Sequence, residues 1–292
     1  MKIIHFSDLH LWTLRPVWSD LLYPKRVFGG INLWLRRRPK FPPALAEAVV
    51  GEILKQDAEF LIFTGDITTQ SHPDEFKQGA ELFEPLFQKW GDRFLMIPGN
   101  HDRYTPRSIA KRLYENHFPT GAFPKTNVRV WPLSDTWSAV GFDASTAFKF
   151  RSNGLFTDTL GATLSETLAA EAAEGKKVVL IGHYPYAMPD AIPDTWEHKL
   201  IGKEKLEMVV AAHKPPLYLH GHKHQRWVLQ PLSTPDTICI DSGSAGMLSN
   251  NPTRMAGFVM IDLAEDGTLQ GVTTTLAKDA GGREFRYSDV AI

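Results

Sequence analysis

Five short blocks of this 292-residue sequence carry side chains that bind metal ions, and each follows an apolar run of strand length. Asp8-Leu9-His10 sets a carboxylate and an imidazole two positions apart, so in an extended segment both face one ion. In Gly65-Asp66, glycine lets the backbone turn sharply and leaves a carboxylate at a strand end, with two oxygens that can bridge two ions. Gly99-Asn100-His101-Asp102 offers an amide oxygen beside an imidazole. Gly182-His183 and Gly221-His222-Lys223-His224 complete the set. One such block is a weak signal. Together they supply Asp, His, Asp, Asn, His, His and His on successive tight turns, an order that chance rarely produces. Such nitrogen and oxygen donors suit manganese, iron, zinc, cobalt or nickel better than calcium, and a manganese or iron-containing pair is expected. The single cysteine, Cys239, excludes a disulfide scaffold and a thiolate zinc cluster.

The chemistry follows from two divalent ions about 3.5 to 4 Å apart, which clamp phosphate oxygens and lower the pKa of water towards roughly 7. No protein nucleophile is then required. The order of the blocks resembles the calcineurin-like metallophosphoesterase superfamily, whose motifs run D-x-H, G-D, G-N-H-D/E, H and G-H-x-H. The resemblance spans Asp8 to His224 and implies a β-sandwich of two mixed sheets flanked by helices, an α/β fold. It further implies that Asp8, His10, Asp66 and His224 hold one metal. Asp66, Asn100, His183 and His222 would hold the other. His101 matches the family's non-ligand histidine, which meets the substrate phosphate or protonates the leaving group. Asp102 either orients His101 or caps its turn, and Arg103 is a candidate contact for a phosphate oxygen.

The compact D-L-H, G-N-H-D and G-H-x-H style is similar to the bacterial cyclic-nucleotide-phosphodiesterase-like group. The expectation is a phosphohydrolase acting on a phosphodiester or diphosphate, with a small phosphodiester or nucleotide-linked substrate. The alternative is a lipid-linked nucleotide pyrophosphohydrolase similar to the UDP-2,3-diacylglucosamine hydrolases. A metal-free scaffold is the remaining rival, disfavoured because every ligand position is filled.

The elements that must position these blocks read as alternating strands and helices. Strands are expected at Lys2 to Ser7, Phe60 to Thr64, Phe94 to Pro98, Lys177 to Gly182 and Pro216 to His220. Helices are expected at Ala44 to Gln56, Asp74 to Trp90, Thr105 to His117, Thr163 to Glu174 and Glu204 to His213, with Pro43, Pro73 and Pro106 near first turns. Further strands at Arg226 to Gln230, Thr237 to Asp241, Gly257 to Leu263 and Leu269 to Thr275 suggest a mixed second sheet. A single domain over 1–278 with a loosely attached tail over 279–292 is the expected organisation.

Residues 11–43 fit this scheme least. Arg15, Lys25, Arg26, Arg36, Arg37, Arg38 and Lys40 face only Asp20 there, among Trp12, Trp18, Trp34 and several leucines. This basic, aromatic insertion at the site rim reads either as a helical cover or as a contact for an anionic membrane surface. The whole chain carries a formal net charge of −1, so general nucleic-acid binding is not expected. The start of the chain lacks a signal-peptide pattern and no run of 18 apolar residues occurs, which predicts a cytoplasmic protein, at most peripheral to the inner membrane face. His5, His72, His117, His198 and His213 have no ligand context and are assigned structural or surface roles; His220 alternates to the same side as His222 but is assigned to structural packing. Gly243-Ser-Ala-Gly246 is equally a phosphate-binding turn or a plain one.

Overall fold

A computed structural model of the chain describes residues 1–13, 38–149, 151–266, 268–277 and 284–290. The strand Lys2–Phe6 (β1) shows why the molecule has layers. Side chains alternate across a strand, so Ile3 faces the other sheet while Ile4 and Phe6 face helices. Beside it run Phe60–Phe63 (β2) and Phe94–Met96 (β3), both parallel to their neighbours in the register Ile3↔Phe60 and Leu61↔Phe94. On the other side Gly257–Leu263 (β12) pairs antiparallel with β1 and with Leu269–Ala277 (β13).

The second sheet holds the antiparallel pair Val128–Pro132 (β4) and Trp137–Phe142 (β5), then Lys177–Ile181 (β7) and Leu217–His220 (β9) parallel to β5. Ile238–Ser242 (β11) and Arg226–Leu229 (β10) complete it. Ile3, Ile62 and Leu95 of one sheet meet Val179, Ile181 and Ile240 of the other in a shared apolar layer. This agrees with the expected sandwich of two mixed sheets. Helix Pro43–Ile53 (α1) buries Leu45, Val49 and Ile53 at a four-residue spacing, and Pro73–Trp90 (α2) buries Phe76, Phe83, Leu86 and Trp90. Both cover the first sheet. Asp158–Ala173 (α5) and Lys203–His213 (α6) cover the second through Leu160, Leu164, Leu206 and Val210. A separate parallel pair, Gly154–Leu155 (β6) and Leu200–Ile201 (β8), lies outside both sheets.

Several elements differ from the sequence reading. The hairpin of β4 and β5 was not expected; Ser134 closes its turn by accepting hydrogen bonds from the amides of Thr136 and Trp137 at 3.2 and 3.0 Å. The helix expected over 105–117 is two short ones, Pro106–Ala110 (α3) and Leu113–His117 (α4), broken at Arg112, which takes φ +50°. Within the tail expected to be loose, Phe285–Val290 (β14) pairs antiparallel with β13 as the edge strand. Alternation of Phe285 and Tyr287 with Arg286 and Ser288 suits a strand, and the free edge of β13 supplies its partner. Residues 14–37, most of the basic insertion expected at 11–43, lie outside the described residues. The ends of that insertion meet each other: Trp12 donates its indole N–H to the Phe41 carbonyl at 2.7 Å, and the Arg38 guanidinium lies 5.5 Å from the Trp12 ring centre. Among the described residues no helix is long and apolar enough to cross a membrane.

Candidate metal centre

The parallel register brings the C-terminal ends of β1, β2, β3, β7 and β9 to one edge of the sandwich, and hydrogen bonding continues past those ends. Asp8 N–H donates to Gly65 O at 2.9 Å and His10 N–H to Asp66 O at 3.1 Å, while Gly221 N–H donates to His183 O at 3.1 Å. Loops from both sheets are thereby locked side by side. A side chain at Gly65 would meet the Gly99 backbone nitrogen at 2.5 Å, and one at Gly99 would meet Asp66 Oδ1 at 2.2 Å. Only glycine allows these two loops to touch. Asp8, His10, Asp66, His222 and His224 all adopt left-handed backbone, with φ between +52° and +79°. Such a conformation costs on the order of 1–3 kcal/mol per residue and persists only where surroundings enforce it.

The structure brings the seven donors together. One ligand atom from each of Asp8, His10, Asp66 and His224 falls within 4.8 Å of the others, and the same holds for Asp66, His183 and His222. Asn100 joins the second group: its Oδ1 lies 3.2 Å from His183 Nε2 and 3.0 Å from His222 Nδ1. All are buried except His224, whose side chain is 22% exposed. Asp66 belongs to both groups through a single oxygen. Its Oδ2 is 3.7 Å from His10 Nε2 and 3.5 Å from His183 Nε2, whereas Oδ1 accepts the His101 N–H at 2.7 Å. The sequence reading gave the bridge two oxygens; Oδ2 lies toward both donor groups, while Oδ1 accepts the His101 backbone amide.

This arrangement fits divalent cations. His10 Nε2 and His224 Nε2 face each other at 2.7 Å, and His222 Nδ1 lies 3.3 Å from His183 Nε2. Converging nitrogen lone pairs repel unless a cation or proton lies between them. Asp8 Oδ1 is buried 3.3 Å from His224 Nε2 and 3.6 Å from His10 Nε2. Burial alone would raise the Asp8 pKa, yet the His10 and His224 rings hold it well below the carboxylate range. Burial likewise disfavours a charged His183, but the Asp66 carboxylate overcomes this and raises its pKa to about 9. A bound cation would take the place of that proton.

Groups behind the donors fix which ring nitrogen faces the centre. A carbonyl can only accept, so Thr64 O at 2.7 Å places the His183 proton on Nδ1 and leaves Nε2 for metal. His198 O at 2.6 Å places the His222 proton on Nε2 and leaves Nδ1. The His198 segment is held by buried Asn153, whose Nδ2 donates to Trp196 O and Lys199 O, both at 3.0 Å. Neither residue was singled out from sequence, because His198 acts here through its main chain and Asn153 sits far from any motif.

Other sequence-predicted residues take different places. Arg103, a candidate phosphate contact, is 7% exposed and engaged with Glu115 at 2.6 Å and Asp143 at 3.1 Å. It ties α4 to the end of β5. Asp102 caps its turn: it accepts the amides of Gly99 at 3.0 Å, Asp66 at 2.8 Å and Thr68 at 3.0 Å. Burial and the neighbouring Asp66 charge push its pKa up to about 6. His101 is oriented instead by Thr69 O, 2.5 Å from Nδ1, with its ring stacked 5.4 Å from Tyr104. The 243–246 turn proves structural, since Ser244 Oγ donates to Asp8 O at 2.6 Å and Ala245 N–H to Ser7 O at 2.7 Å. His220 is buried beside Asp241 at 3.4 Å, and His5 beside Thr64 at 3.0 Å; burial lowers both pKa values to about 3.

Comparison with known proteins places this centre in a family. A sequence profile of the calcineurin-like phosphoesterases matches residues 1–226. A probable cyclic nucleotide phosphodiesterase of Rhodococcus erythropolis is 29% identical over 108 residues, which span 37% of this chain and 30% of that relative. The match therefore covers less than a third of the relative's length. Among solved structures, a dimetal phosphatase from Danio rerio superposes with a TM-score of 0.60 at 13% identity, over 98% of each chain. A purple acid phosphatase from yellow lupin gives a TM-score of 0.63 at 11% identity, over 98% of this chain and 52% of that one. These likenesses concern the fold. With the family profile covering most of the chain and all five motif blocks meeting at one edge of the sandwich, the chain belongs to the calcineurin-like phosphoesterases.

Proposed function

We propose that this chain is a dinuclear metal-dependent phosphohydrolase that cleaves a phosphodiester or diphosphate bond. The observation that carries the reading is Asp66 Oδ2, a single buried oxygen between His10 Nε2 and His183 Nε2, one from each donor group. Asp8, His10, Asp66 and His224 would hold one ion; Asp66, Asn100, His183 and His222 would hold the other. The nitrogen, carboxylate and amide donors favour manganese or an iron-containing pair. Two such ions, when bound, polarise phosphoryl oxygens and make water nucleophilic at neutral pH.

The chain's own residues supply the rest. His101 lines the cavity above the donors, and Thr69 O holds its Nδ1 proton in either charge state. Nε2 is therefore the atom that gives up a proton to the departing oxygen. The segment 192–198 walls the cavity with Ile192, Pro193 and Thr195, which excludes water from one side. The Phe41 ring packs T-shaped against His10 at 4.9 Å and His224 at 5.6 Å, supporting two of the donors.

The test is a metal-reconstituted panel of a bis-aryl phosphodiester, an aryl monoester, cyclic AMP and a UDP-linked lipid. Cyclic AMP is included because of the name carried by the Rhodococcus relative. Metal-dependent turnover of a diester with little monoester activity supports the reading. Failure to turn over any diester or diphosphate with any of the five transition metals overturns it.

A further inference from the structure

The cavity above the donors encloses about 520 Å³, within the range of pockets that take nucleotide-sized ligands. Among the described residues, three cations line it, Lys40, Lys223 and Arg254, and one carboxylate, Asp66 at the floor. Lys223 already has a carboxylate neighbour: its side chain is 9% exposed and its Nζ lies 3.4 Å from Asp194 Oδ1, an aspartate it shares with Lys203 at 2.9 Å. Arg254 and Lys40 have no carboxylate partner among the described residues.

Arg254 is nonetheless held in place. Its Nε and Nη2 both donate to Gln225 Oε1, at 3.3 and 3.1 Å, a neutral acceptor that fixes the guanidinium without cancelling its charge. The turn carrying it is closed by Arg254 N–H to Asn251 O at 2.8 Å and joined to β10 by Arg226 N–H to Thr253 O at 2.6 Å. Lys40 enters from the opposite segment, and its carbonyl accepts the Leu248 N–H at 2.7 Å, which ties the two segments together. Both residues are exposed, and a guanidinium on a neutral clamp with a second unmatched cation lining the same cavity suits phosphate oxygens.

A phosphodiester bears its single charge on the phosphoryl group that would lie over the donors, and its two arms are neutral. Such a molecule has no second anionic group to set against Arg254 and Lys40. We propose that these two residues form a subsite for a second phosphoryl group, so the substrate class is an organic diphosphate or a nucleotide with a further phosphate. The proposal rests on the phosphohydrolase reading above, and it assigns Arg254, which lies beyond the stretch matched by the family profile.

The experiment measures competitive inhibition of bis(4-nitrophenyl) phosphate turnover by AMP and by ADP, at saturating metal, in the full chain and in Arg254→Gln and Lys40→Gln. ADP should bind the unaltered chain roughly tenfold more tightly than AMP, as one charge-assisted contact gives. In each variant ADP should weaken by roughly tenfold more than AMP, bringing the two inhibition constants together. Lys77→Gln, an exposed lysine of α2, should leave the ratio as it is. Equal inhibition by AMP and ADP in the unaltered chain overturns the subsite, as does equal weakening of both by the substitutions. If neither the diester nor any diphosphate is hydrolysed with any of the five metals, the phosphohydrolase reading falls, and the subsite with it.

Discussion

The floor and the wall of the cavity are built in opposite ways. The floor consists of seven side chains that converge from both sheets, nearly all buried, five of them on left-handed backbone enforced by loop-to-loop hydrogen bonds. The wall, residues 192–198 with the turn at 251–255, is mostly exposed and is held from outside the donor set, by Asn153 beneath His198, Lys203 on Asp194 and Gln225 beneath Arg254. The two are joined at His198 O to His222 Nε2, and beside it at Lys223 Nζ to Asp194 Oδ1. A floor so over-determined keeps its donors in place whatever the substrate, while a lightly held wall can differ between relatives and set which substrate enters. Chemistry and selectivity thus have separate supports.

The largest expected effect comes from breaking the floor at its shared atom. Asp66→Ala removes an oxygen from both donor groups and should abolish turnover while lowering total metal content, read by elemental analysis beside activity. Next is His101→Ala, which should retain both metals yet slow turnover by roughly 10²-fold, the scale of general acid catalysis. A diester with a very good leaving group should show a smaller defect. Loss of metal on that substitution would make His101 part of the floor and contradict its assignment.

The bond joining wall to floor is tested by Asn153→Asp, which keeps the shape but replaces the amide donor with oxygens facing the carbonyls of Trp196 and Lys199. The second metal should bind roughly 10- to 100-fold more weakly, as is typical when an outer hydrogen bond to a ligand is lost. The first metal, held away from His222, reports in the same titration that the variant is folded. His198→Ala keeps the carbonyl and should leave both metal affinities unchanged. Smallest is Ser244→Ala, which removes the hydrogen bond to Asp8 O and the one accepted from Gly246 N–H, and should cost about 1–2 kcal/mol in denaturant melts.

The same contrast explains what could be read from sequence. The floor was legible because metal ligation requires particular side chains at particular spacings after strands, and Asp8-Leu9-His10 or Gly221-His222-Lys223-His224 show both. The apolar runs at Ile3, Phe60 and Val178 showed the strands for the same reason. The wall was not legible, because His198 contributes a carbonyl that every residue has, and Asn153 acts on it across 45 positions of chain. Asp102 and Arg103 were placed near the chemistry by proximity in sequence. Their side chains turn instead to backbone amides and buried carboxylates, a direction that spacing does not encode. The β4–β5 hairpin escaped because Ser138 and Gly141 interrupt Trp137–Phe142, which is buried along its whole length and so shows neither an apolar run nor alternation.

The account's central claim is that one oxygen of Asp66 is shared by two ions, and anomalous diffraction from crystals of the manganese-loaded protein measures this directly. The prediction is two peaks about 3.5 to 4 Å apart with Asp66 Oδ2 between them and Oδ1 still on the His101 amide. A single peak, or two peaks of which one lacks Asp66 as a ligand, would contradict it.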